Sequence, residues 1–552
     1  MRVIAASRVA TFVTLLSVFL MGGMLVPAST GDAAPQTTPT GRPIPRAQGK
    51  RVDPHQIEPL SPTGDVPQQI KEAPRHFPVN QAAYARLKGQ ADASAAARDH
   101  GDQGSLTVAP TPQFATLGST DTGGWNPPDG ALGVGPTSVL TVANAALAMY
   151  DRGGNRLLGP LGLVSFFGDP GASSVYDPRA LYDAGNASAR GYGGGHGRFV
   201  VLATDGSNFT LAVSQNESPQ NAGATWCTYL VDGVTTNADG STDWVDYPSL
   251  GMDGDYLYLT SNQFSNVDNS FQYARLVILP KASVYPNATT GACPLKAGWD
   301  YWNLQNPGGG AAFTVQPANQ PDAQPGVGGT MYLVNSIWAS GSNLVVRSVT
   351  NAPGAAPVPN DATWVSSGFI APYTLPASAP QPNTSAKVDT GDTRLLGAVY
   401  RYGSIFTANT TGTVSASLSA SANPYANAQW YQITPTSPTT SRGASSAVTN
   451  SSVAFFFPRV LPVCAAGPTC SSPKTVLEAS VSGRFQTASA ASVSNGSAAV
   501  FGRGVGAYSL SSRWGDYPAV AADPTSPGTA WLFGEYARST TAWGTATTSV
   551  TP

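Results

Sequence analysis

The sequence predicts an all-β chain: a single β-propeller of four-stranded blades, seven in number within a range of six to eight, preceded by a disordered Pro-rich arm. Three observations predict it. Beyond about residue 110, short runs of Val, Leu, Tyr, Phe and Thr alternate with Gly, Asn, Asp and Pro, and no long helical period survives. The 552 residues include 59 Gly and 46 Pro, a turn-rich composition, while a 41% hydrophobic content can still fill a large core. Finally, a motif recurs: an Asp, Gln or Phe beside a Pro or small residue, a short apolar strand, a Gly-bearing turn, then a more aromatic strand. Its starts at Asp129, Asp177, Asp246, Gln316, Asp392, Pro458 and Asp516 are separated by roughly 50–75 residues, too long for a solenoid coil and suited to a blade with loop insertions. Paired β-sandwiches also give regular short strands, but they do not call for so even a repeat.

The elements follow in order. Arg2 and Arg8 precede the apolar run "VATFVTLLSVFLMGGMLV" (9–26) and small residues, so 1–30 reads as a signal peptide cleaved between Ala28 and Ala34. Residues 31–109 read as the arm, rich in Pro and without periodicity as far as residue 78, with one short helix in the Ala-rich stretch 80–100. The propeller domain occupies 110–552. Its most distinctive segment, "SSRWGDYPAVAADP" (511–524), repeats the core of "VDYPSLGMD" (245–253).

"PPDGALGVGPTSVLTVANAALAMYD" (127–151), "DYPSLGMDGDYLYLTSNQF" (246–264), "GDTRLLGAVYRYGSIFTAN" (391–409) and the RWGDY ending together resemble a group of secreted bacterial β-propeller proteins, distantly like the sialidase and BNR-repeat propellers. The resemblance covers roughly residues 110–550 and implies secretion and the propeller fold, without a reaction. No Ser-x-Asp-x-Gly-x-Thr-Trp box occurs, so sialidase activity itself is not expected.

In a propeller, the innermost strands start at the mouth of a central channel, which gathers the marker residues. Several carboxyls round one cavity repel, so one can stay protonated as a general acid while another serves as base, the division of labour that glycoside hydrolysis needs. Asp246, Asp516 and Asp129 are therefore the candidate catalytic acids. Arg513, Trp514, Tyr247, Tyr517, Asp177, Asp392, Arg394 and Arg179 are the candidate substrate-binding residues, the aromatics stacking on sugar faces. Each marker Asp has a plainer reading as a turn cap accepting backbone N–H bonds. The expected function is glycoside hydrolysis on extracellular carbohydrate. The alternative is a non-catalytic cell-envelope propeller that binds a glycan or a protein.

Other chemistries are less supported. A net charge of −2 with 11% charged residues gives no field for nucleic acid. Beyond residue 100 the only His is His196, in a Gly-rich loop, which argues against His triads and three-His zinc sites. Calcium is the one cofactor the Asp- and Asn-rich loops allow, as in 253–269. Four Cys in an exported chain favour disulfides; of three pairings, short spacing favours Cys464–Cys470, which leaves Cys227 and Cys293 for each other. No second long apolar run follows the signal, so the expected address is secreted or cell-envelope associated, without a membrane span after cleavage.

Overall fold

The computed structural model describes residues 41–552 except 62–70, 75–77, 99–104, 108–112, 185–196, 238, 324–328, 352–355, 366–369, 413–424, 436–441, 449–452, 485 and 495–496. The expected signal peptide, 1–30, and His196 lie outside the described residues. Those described belong to one compact unit, Thr37–Pro552.

That unit is built of small antiparallel sheets that follow one another along the chain. The first comprises Gly130–Val134, Ser138–Ala143, Ala146–Asp151 and Arg156–Gly162. The second runs from Tyr176–Asp183 to Trp226–Asp232, and the third from Thr242–Met252 to Trp299–Leu304. The fourth and fifth begin at Gln316–Asn319 and Leu395–Arg401, and these two strands pair in parallel through Ala318 and Ala398. The sixth begins at Ala454–Val463 and the seventh at Ala519–Ala522. The outer strand of the seventh is Gln113–Gly118, drawn from before the first sheet, which pairs with Trp543–Val550. Each sheet's first strand packs against the first strand of the next, and Ala519–Ala522 packs back against Gly130–Val134. A β-carbon on Gly130 would fall 2.0 Å from the Phe533 ring of the seventh sheet, so only glycine allows that approach.

At three of the seven starts the marker is a bulge. Asp177, Tyr247 and Phe457 adopt left-handed backbone conformations (φ 57°, 53° and 51°), and each directly precedes a proline. At the same places the strand register slips: between Tyr176 and Arg179, Asp246 and Ser249, and Phe456 and Arg459. The extra residue bends the strand, and the proline removes a donor that the bulge would leave unpaired.

The arm corrects the expectation of disorder. Lys50–Val52 joins the edge of the second sheet, Arg42–Pro43 joins the third, and Lys71–Glu72 pairs in parallel with Trp125–Asn126. The short helix is present as Gln81–Arg98, opened by Asn80, whose side chain accepts from the Ala83 N–H at 2.8 Å. Both disulfides are formed, Cys464–Cys470 and Cys227–Cys293. No helix among the described residues is long and apolar enough to cross a membrane.

Candidate functional site

Residues 513–517 lie where the seventh sheet meets the first, second and sixth, and every member of the motif makes a bond outside its own segment. Arg513 donates to the carbonyls of Ala73 and Pro74 in the arm. Trp514 Nε1 donates to Ser480 Oγ at 3.0 Å, and the Gly515 N–H donates to Glu535 Oε2 at 2.9 Å. The Asp516 N–H donates to Asp129 Oδ1 at 3.1 Å, and the Tyr517 hydroxyl donates to Asp177 Oδ2 at 3.1 Å. The motif is a clasp.

This corrects the placement of two of the three candidate acids. Asp129 and Asp246 are fully buried, not presented to a substrate. Asp129 also accepts from Asn144 Nδ2 at 2.8 Å, and Asn144 Oδ1 accepts from the Asp177 N–H at 2.9 Å, so a capping network joins the first two sheets and the clasp. Asp246 lies near Tyr176; burial, then Asp177, then Asp246 push that phenol well above its ordinary pKa. The stacking expectation is corrected too: Trp514, Tyr247 and Tyr517 are 3%, 1% and 1% exposed. Of the candidate acids, Asp516 lines an open space.

That space is a cavity of about 540 Å³. The helix Gln81–Arg98 forms one wall through Gln81, Tyr84, Lys88 and Asp92, spaced to share one face. Asp392, Arg394, Arg513, Trp514 and Asp516 contribute to the remainder. The sequence reading missed the helical wall because it placed the arm outside the domain; the Tyr84–Lys88–Asp92 spacing was the available signal. Lys88 is buried, donates to Thr390 Oγ1 at 2.8 Å and pairs with Asp389 at 3.0 Å. Tyr84 donates to the same carboxylate at 3.0 Å. Burial raises the Asp389 pKa, but the Lys88 ammonium and these bonds outweigh it and hold the carboxyl below its ordinary range. Arg394 grips Asp392 with two bonds, at 2.8 and 2.9 Å. Burial lowers its pKa and the Asp392 charge outweighs that, so the guanidinium stays ionised.

Tyr247 and Tyr517, with ring centres 4.8 Å apart, meet arginines from two cavities, this one and a narrower one deeper along the same strands. Arg394, from the mouth, lies 4.7 Å from the Tyr247 ring centre, and Arg179, from the deeper space, lies 4.0 Å from that of Tyr517. Two further acids, Glu478 and Glu535, lie outside the candidate set. They line a small pocket beside Gly515 and Gly534, and burial pushes both carboxyls well above the ordinary range. Neither belongs to a marker of the repeat, so no spacing distinguished them in the sequence.

Among the described residues, no group of three or more His, Cys, Asp and Glu side chains is arranged to hold a metal ion. In the 253–269 segment, the Asp253 carboxyl accepts from the N–H groups of Asp255 and Tyr256 and from the Tyr258 hydroxyl. No family model matches the chain, and no curated protein matches it.

Proposed function

We propose that the chain is a secreted seven-bladed β-propeller that binds an extracellular glycan or another cell-envelope component at its mouth without cleaving it. The blade count rests on seven first strands in cyclic succession and on Gln113–Gly118 supplying the outer strand of the last sheet. The likeness to secreted bacterial propellers is part of this proposal, and so is export, which the apolar run 9–26 and the two disulfides support.

One observation carries the binding reading over hydrolysis: Asp129 and Asp246 are buried, and the other carboxyls that line the cavity with Asp516 are each committed to a neighbour, Asp389 to Lys88 and Tyr84, Asp392 to Arg394 and Asp92 to the Ser378 N–H. The mouth offers Lys88, Arg394 and Arg513 together with Asp92, Asp392 and Asp516, a mixture of donors and acceptors that suits a neutral polyhydroxylated ligand. The test combines a glycan array with reducing-end release from a polysaccharide panel, on wild type and Asp516→Asn. The expected result is saturable binding with no release. Release by wild type that Asp516→Asn abolishes overturns the reading in favour of a glycosidase.

A further inference from the structure

We propose that the deeper cavity between the first strands is a binding site for a small inorganic oxyanion of the sulfate or phosphate type, held by Arg179, Arg459 and Gln316. This cavity, about 80 Å³, takes residues from the first strands of all seven sheets, and none of its lining residues is Asp or Glu. It nevertheless receives two guanidinium groups. Arg179 is 5% exposed; its Nε donates to the Pro248 carbonyl at 3.1 Å, and its Nη2 has no acceptor. Arg459 donates to the Leu396 carbonyl. Neither forms an ion pair with a described carboxylate, in contrast to Arg394, which has Asp392. Gln316, buried in the same lining, has an Nε2 without an acceptor.

Buried charges in proteins are normally paired, because an unpaired one costs several kcal/mol. The nearest candidate within the sheet is Glu478, the cross-strand partner of Arg459, but its carboxyl lines a different pocket and burial favours its neutral form. Burial, then repulsion from Arg179, bring Arg459 down to about 9. The space is nonetheless reserved for it: a β-carbon on Gly397 would coincide with the Arg459 guanidinium, so the glycine is what admits the charge. Two guanidinium forks and an amide N–H make a donor set suited to an oxyanion. The volume exceeds the ~30 Å³ share of one liquid water.

The site is independent of whatever binds at the mouth. Its test is calorimetric titration of the full chain with sodium sulfate against sodium chloride of equal ionic strength. A second arm soaks crystals in selenate and reads the anomalous map. Saturable binding of one sulfate per chain is expected, weakened at least about tenfold in Arg459→Met and in Gln316→Leu, with a selenate peak between Arg179 and Arg459. A linear, non-saturating response with no anomalous peak, or unchanged affinity in both variants, overturns the proposal. Should Arg459→Met fail to fold, Gln316→Leu and the selenate map decide it.

Discussion

Asp129 holds two segments at once, accepting from Asn144 on one oxygen and from the Asp516 backbone on the other, and Asp177 takes the Tyr517 hydroxyl. A carboxyl committed in this way acts through stability. Tyr517→Phe removes one bond to a carboxyl group and leaves its partner buried, so it is expected to lower unfolding free energy by about 1–3 kcal/mol, measured by urea titration. The buried acid Glu478 behaves differently. Its folded-state pKa lies above the unfolded value near ~4.3, so over that interval the folded chain binds more protons than the unfolded one, and stability falls as pH rises from about 4. Glu478→Gln keeps the shape and removes the titration. Melting curves should show the variant gaining on wild type as pH rises from 4 to 8; parallel curves would contradict the assignment.

At the scale of elements, the helix Gln81–Arg98 is held to the domain by Ala95 and Ala91 packed in the core and by polar contacts: Lys88 and Tyr84 to Asp389, and Asp92 to the Ser378 N–H at 2.7 Å. Lys88→Met keeps the stem but removes the ion pair. The helix should then be cut by protease several-fold faster than in wild type while the sheets resist, read by mass spectrometry of the fragments. The disulfides should differ in weight. Loop-closure entropy predicts a loss of about 4 kcal/mol on opening Cys227–Cys293, 66 residues apart, and about 2 on opening Cys464–Cys470, 6 apart. Denaturant midpoints of the paired Cys→Ser variants check the order.

For the molecule as a whole, the repeat of short strands was legible in part because three of the markers combine a proline with a residue forced into a bulge, and that combination survives in the sequence as Asp-Pro, Tyr-Pro or Phe-Pro. The helix was legible from its alanines. The arm's strands were not, because two- and three-residue edge strands such as Arg42–Pro43 and Lys50–Val52 carry no period of their own; the sheets they join define them. The site was only half legible. Spacing brought Asp129, Asp177 and Asp516 to one region, but whether a carboxyl faces a cavity or a backbone N–H depends on neighbours hundreds of residues away, such as Tyr517 for Asp177.

The clasp joins sheets from opposite ends of the sequence, so its contribution to the fold is the claim on which the rest depends. The measurement that tests it most directly is equilibrium urea unfolding of Asp129→Asn beside wild type, followed by far-ultraviolet circular dichroism. A midpoint shift equivalent to about 1–3 kcal/mol is predicted, because the substitution weakens the acceptor shared by Asn144 and the Asp516 N–H. A midpoint identical to wild type would contradict it, and would return Asp129 to the list of residues whose role lies outside the architecture.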